Sequence, residues 1–251
     1  MAEKKSQDWL VWGVLGLMLV AGVAALAFSP GGDNGNPNGQ NRPPVALIAP
    51  TNASIDLGET VEFSGAASSD PDTGGAVRNF TWDFGDGTTG SGAIVSHQYD
   101  ITGAFRVRLE VTDDKGTKNA TTTNLWVNLN QNVPAGLASW NQLSGSFPSN
   151  VSFPLDPGAV KLTVSLQLNT SNPLGARAVV TILDPNMAPV ATANQTLTPG
   201  TFPGPLVLTL SRDNLTVEGE WRVKVEAQPA IGGQPTVTVG YQGTIRVEYK
   251  P

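Results

Sequence analysis

Beyond Phe28 the chain alternates apolar and polar residues in short runs, the period of a half-buried β-strand. Phe80, Trp82 and Phe84 fall on one face of such a run, with Asn79, Thr81 and Asp83 on the other. Phe105, Val107, Leu109 and Val111 form a second stripe, and residues 121–127 a Thr-rich strand. Further along come Val160, Leu162, Val164, Leu166 and Leu168, then Ala178, Val180 and Ile182, then Leu206, Leu208 and Leu210. Trp221, Val223 and Val225 follow, with closing runs at 237–241 and 245–249. Gly85-Asp86-Gly87, Asp113-Asp114-Lys115-Gly116 and Asp184-Pro185-Asn186 supply the turns. The pattern predicts an all-β body of two antiparallel sandwiches.

The first 28 residues break this rhythm. Trp9 to Phe28 carries no charge, and a helix of that length spans a hydrocarbon core of about 30 Å. Trp9 and Trp12 stand at its start, and Lys4 and Lys5 precede it. By the positive-inside rule residues 1–8 are cytoplasmic, 9–28 a signal-anchor helix, and everything after it extracellular. Ala25-Leu26-Ala27 also has the form of a signal-peptidase site, so a cleaved leader is the competing expectation, and a pilin-like tail a third. Residues 29–43 are mostly Gly, Asn and Pro and read as a flexible linker. Residues 44–129 are then the first sandwich and 130–251 the second, with Pro134 and Gly136 expected to mark a joint. The polar stretch from Asp184 to Pro205 reads as an exposed excursion.

Composition narrows the chemistry. With no Cys, the chain of 251 residues has no disulfide, thiol nucleophile or cysteine metal site. Its single histidine, His97, excludes a site needing two from one chain. A net charge of −6 argues against a nucleic-acid partner, which requires a basic face. Asp70, Asp72, Asp83 and Asp86 offer oxygen ligands for a structural Ca2+. The same residues equally suit turn capping, accepting hydrogen bonds from backbone N–H groups two residues on. No catalytic residue and no other cofactor is expected.

Ser69-Asp70-Pro71-Asp72, Trp82-Asp83-Phe84-Gly85-Asp86-Gly87, His97-Gln98-Tyr99 and Gly103-Ala104-Phe105-Arg106-Val107 follow one another in the order and spacing of PKD domains. Residues 44–129 resemble that family, which implies an immunoglobulin-like sandwich that is not itself catalytic. At His97 the resemblance implies a structural hydrogen-bonding role. Gly219-Glu220-Trp221-Arg222-Val223 resembles the final strands of pre-peptidase C-terminal-type domains, and this favours a jelly-roll for the second sandwich.

Asn-x-Ser/Thr acceptor triplets occur at Asn52, Asn79, Asn119, Asn150, Asn169, Asn194 and Asn214, all on the side expected to be extracellular. Glycans there, with no Cys, fit an archaeal envelope better than a disulfide-rich ectodomain. The sequence therefore predicts a membrane-anchored cell-surface glycoprotein with a structural, adhesion or protein-interaction role, open to homo-oligomers through exposed sheet edges. The alternative is a glycan-binding accessory module of a surface hydrolase system, for which Trp126 and Trp140 are the aromatics outside the core stripes. An enzyme built on paired carboxylates is disfavoured, since no spacing singles out a pair.

Overall fold

The computed structural model describes residues 40–201 and 203–250. The anchor expected at 9–28 lies outside the described residues. Among those described, no helix is long and apolar enough to cross a membrane. A 3-10 turn at Arg212–Asn214 accompanies fifteen strands, so the described chain is all-β.

The first half comprises β1 (Ala53–Asp56), β2 (Thr60–Ser64), β3 (Val77–Asp83), β4 (Thr89–Ser91), β5 (Ile94–Gln98) and β6 (Gly103–Asp113). β2 pairs with β5, and β4, β3 and β6 lie side by side in a second sheet. Alternation decides which side chains meet between them: Phe63, Trp82, Phe84, Tyr99, Phe105, Val107, Leu109 and Val111 are buried together. The Trp82 indole N–H donates to the Gly92 carbonyl at 2.9 Å, so the largest core ring leaves no orphan donor.

β7 (Lys118–Asn141) carries the chain into the second half without a break. Its first part pairs with β6, and its second part with β15 (Thr236–Glu248). Leu125 and Val127 enter the first core, and Leu129, Val133 and Ala138 the second. One nine-stranded sheet thus runs through both halves, and from Asn41 onward the chain is one compact unit.

The joint expected at Pro134 and Gly136 is therefore not a break in the strand. The register against β15 shifts here, with Gly136 opposite Tyr241 and Val133 opposite Gly243. Such a bulge accepts a proline, which has no N–H for the ladder. A Cβ on Gly136 would run into the Tyr241 ring, which is why a small residue stands there. The same bulge fuses the two closing runs expected at 237–241 and 245–249 into the single strand β15.

The second half adds β8 (Gly145–Phe147), β9 (Ser149–Leu155), β10 (Lys161–Asn169), β11 (Ala176–Leu183), β12 (Pro189–Leu197), β13 (Leu206–Ser211) and β14 (Gly219–Pro229). One layer runs β13-β10-β15-β7, the other β12-β11-β14-β9. Leu162, Leu166, Val180, Ile182, Trp221, Val225, Val239 and Val247 fill the space between, all at or near zero exposure. Burying one such aliphatic side chain stabilises the fold by about 1.5–3 kcal/mol. β12 occupies part of the expected excursion. It is an edge strand paired with β11, and Pro189 is its first residue, where a missing N–H costs nothing.

Polar bonds stitch the halves together around β7. Buried Asn128 donates to Ser54 Oγ at 2.9 Å and accepts the Tyr249 N–H at 3.1 Å. The Tyr249 hydroxyl accepts the Thr102 hydroxyl and the Asp156 N–H, each at 3.0 Å. Burial, the largest influence on Tyr249, raises its pKa above the ordinary phenol value.

Candidate functional site

The acidic residues singled out in the first half separate into two groups at opposite ends of β3. Asp83 closes that strand, and its Oδ1 accepts the Gly85 N–H at 2.9 Å. Gly85 has φ of 81°, and a Cβ there would sit 2.8 Å from the Arg106 carbonyl oxygen, so the turn demands glycine. Asp86 accepts from the Thr88 N–H and hydroxyl, and its Oδ2 lies 2.7 Å from His97 Nε2. The His97 ring stacks on Phe84 at 3.9 Å between centroids and meets Tyr99 edge-on. The Tyr99 hydroxyl donates to the Phe84 carbonyl at 3.0 Å. Burial pushes the Asp86 carboxyl upward, but the bonds from Thr88 and His97 outweigh it and hold the carboxyl below its ordinary value. Burial likewise raises Tyr99, helped by the charges of Asp86 and Asp83. This constellation locks a hairpin and places no nucleophile beside a free base.

At the other end, Asp70 Oδ1 accepts the Asp72 N–H at 2.9 Å. Asp72 pairs with the Arg42 guanidinium at 2.8 Å and approaches Lys115 at 3.5 Å. Arg42 also donates to the Pro71 carbonyl. The hydrogen bonds from Arg42 draw the Asp72 carboxyl below its ordinary value. Asn41 donates to Asp113 at 2.7 Å and to Thr117 at 2.5 Å. The start of the described chain is thereby tied to the turn between β6 and β7, a role sequence reasoning missed because the partners lie more than 70 positions apart.

The four carboxylates do not form one ligand set, and among the described residues no three His, Asp or Glu side chains gather as a metal would require. The Asp83/Asp86 end is fully engaged. At the other end, two buried oxygens, Asp70 Oδ2 and Asn41 Oδ1, have no hydrogen-bond partner. Carboxylate and amide oxygens are the hard donors a Ca2+ uses, so this end is where such an ion fits the residues present.

All seven sequon asparagines are exposed. Asn119 is already committed: its amide nitrogen donates to the Pro44 carbonyl at 2.7 Å and its oxygen accepts the Ala120 N–H. Trp126 and Trp140 are half-buried against the second core, and Lys250 Nζ covers Trp126 at 5.3 Å from the ring centroid. Neither offers an open ring. Phe147, which sequence reasoning passed over, is half-exposed opposite Ser139 on the outer face. Beside it lies an open cleft of about 280 Å³ lined by Ala135, Gly136, Leu137, Asn169, Tyr241 and Gln242 among others.

Residues 41–127 match the PKD domain family. Over 79 residues, 32% of this chain, the sequence is 38% identical to the collagenase ColA of Clostridium perfringens, covering 7% of that protein. Over 108 residues, 42% of this chain, it is 37% identical to a microbial collagenase of Vibrio alginolyticus, covering 13% of it. The PKD1 domain of Epp from Vibrio anguillarum is a similar solved structure, 36% identical, with a TM-score of 0.30, covering 35% of this chain and 96% of that domain. Residues 41–127 are a PKD domain with an immunoglobulin-like sandwich fold. The chain spans only a small part of the collagenases it matches, and the family match ends before the second sandwich begins.

Proposed function

We propose that this chain is a membrane-anchored, extracellular, non-catalytic display protein. Residues 9–28 hold it at the bilayer, residues 29–43 give reach, and the PKD domain acts as a spacer for a second sandwich of jelly-roll order that makes the contacts. The observation that carries this reading is β7, which joins spacer and second sandwich into one extended body. Asn41 is bonded at the Lys118 end of that strand, so the tether enters at one pole and the second sandwich occupies the other. The chemistry-bearing residues of the PKD domain support it too, because His97, Asp83, Asp86 and Asp72 are spent on hairpins and turns.

Within this reading Asp70 and Asn41 hold a structural Ca2+ that stiffens the tether's attachment, and exposed sequons on the body carry glycans of an archaeal-type envelope. Protease added to intact cells removes both sandwiches if the reading is right; protection until lysis sinks it. Peptide masses from native protein report the glycans. A calorimetric Ca2+ titration shows a heat of binding that Asp70→Ala abolishes.

One observation favours the glycan-binding alternative. Phe147 stands diagonal to Leu137 at a cleft that carries the amides of Asn169 and Gln242, and a ring beside hydrogen-bonding amides suits a sugar. A glycan array probed with the full chain and with Phe147→Ala separates the readings: ligands lost in the variant establish it, and an empty array removes it.

A further inference from the structure

The end of the second sandwich farthest from Asn41 is built unlike the rest of the molecule. The loops over residues 142–144, 170–175, 198–205 and 230–235 follow β7, β10, β12 and β14, whose ends share register partners: Asn141 faces Thr236, and Ala176 faces both Leu197 and Pro229. Hydrogen bonds join three of them. The Gln142 N–H donates to the Pro235 carbonyl at 3.0 Å, Gln234 donates to the Leu174 carbonyl at 3.3 Å, and Asn172 donates to the Thr236 carbonyl at 2.8 Å. None of the four loops contains Asp, Glu, Lys or Arg. By contrast, the loops at the opposite end of the same sandwich carry Asp156, Asp184, Arg212, Asp213 and Glu218.

On this charge-free end three aliphatic side chains stand in solvent: Leu143 at 96% exposure, Leu174 at 57% and Ile231 at 59%. Each sits in a short loop whose neighbours are Gly, Pro, Ser, Asn or Gln. Their exposure is not forced by the fold, since loop residues pack against nothing and any polar side chain would serve. An exposed apolar patch on a protein this sparing of surface hydrophobics marks a contact site.

We propose that this end is a homotypic contact, where the tips of one chain meet the same tips of a second copy. Charge decides the occupant. Each chain carries a net −6, so two copies repel over most approaches, and a surface without charged groups removes that opposition. An isologous pairing places Leu143, Leu174 and Ile231 against their own counterparts, apolar on apolar. A bilayer is the less suited occupant. No basic residue is present to meet anionic headgroups, and the tips lie at the Asn141 end of β7, a strand contour of roughly 75 Å from the Lys118 end where Asn41 is bonded. A dedicated foreign partner would be met by Trp, Tyr or Arg anchors, and none of the described loop residues is one. The contact is accordingly weak for a single pair and gains from many tethered copies. That copies on facing membranes are the ones that meet rests on the display reading above; the contact itself does not.

Because the chain has no Cys, Leu143→Cys gives a single thiol at the tip, and Thr73→Cys a single exposed thiol beside the Asn41 end. The full chains in detergent are exposed to a short bis-maleimide. Leu143→Cys is expected to form crosslinked dimer at least about tenfold faster than Thr73→Cys, and adding Leu174→Asp and Ile231→Asp should bring its rate down to that of Thr73→Cys. The Ile231→Asp change alone, confirmed folded by circular dichroism, repeats the test should the combined variant misfold. Equal rates at the two positions, or no effect of the Asp substitutions, overturn the proposal. So does capture of the chain by protein-free phosphatidylcholine vesicles that depends on the same three residues. The crosslinking is read in detergent, so it stands or falls independently of where the protein resides.

Discussion

The PKD domain and the second sandwich bury comparable stripes of alternating residues but close them with different chemistry. The PKD core is small and aromatic: Phe63, Trp82, Phe84, Tyr99 and Phe105 touch in series, with His97 stacked at their edge. The second core is larger and mostly aliphatic, with Phe153, Trp221, Tyr241 and Tyr249 set among Val, Leu, Ile and Ala. A small core leans on a few large rings and on the polar bonds that orient them, whereas a broad one spreads its stabilisation over many equivalent positions. Damage at one residue should therefore be costlier and more local in the PKD domain.

The largest expected effect is at Trp82. Trp82→Ala removes a fully buried indole from the centre of the aromatic series and should cost about 3–5 kcal/mol. Val180→Ala, deep in the aliphatic core, should cost about half of that at most, measured by chemical denaturation. Equal losses would remove the contrast. Next comes the seam between the two regions. Tyr249→Phe leaves the Asp156 N–H and the Thr102 hydroxyl without their shared partner, at about 1–3 kcal/mol. It should also resolve one thermal transition into two in calorimetry. A single transition in the variant would mean that β7 alone couples the halves.

How far the sequence disclosed this structure follows the same contrast. The PKD domain was legible because its turns require particular residues: Gly85 for its positive φ, Asp83 and Asp86 for N–H groups two residues on, and Tyr99 for the Phe84 carbonyl. The strands of the second sandwich were legible from period two alone, but their boundaries were not. Pro134 and Gly136 look like a break because a local reading cannot see β15 shifting its register to receive them. β12 was hidden because Pro189 and a polar run are acceptable at an edge and forbidding elsewhere. Of the acidic residues, sequence reasoning found the right turns and could not see that β3 holds them apart. Asn41, Arg42 and Asp113 escaped it because their meeting depends on tertiary approach.

Two smaller effects sharpen the account of the PKD turn. Gly85→Ala forces a Cβ against the Arg106 carbonyl at positive φ and should cost about 1–3 kcal/mol, read by a shifted denaturation midpoint. The smallest is a pH effect. Folding holds the Asp86 carboxyl below its ordinary value of 3.8, so its contribution is complete above that value and disappears as pH falls through the lower, folded one. His97→Gln takes away one of the groups that hold it down. The Asp86 carboxyl should then titrate higher in a carboxyl-detected NMR experiment, and the stability gained between acid and neutral pH should shrink. An unchanged titration would show that Thr88 alone sets it.

The display reading itself turns on which side of the membrane the body occupies, and the Cys-free chain allows that to be read cleanly. Thr73→Cys in the full-length protein, treated on intact cells with a membrane-impermeant maleimide, should be labelled to the same extent before and after lysis. Labelling that appears only once the cells are opened would contradict it.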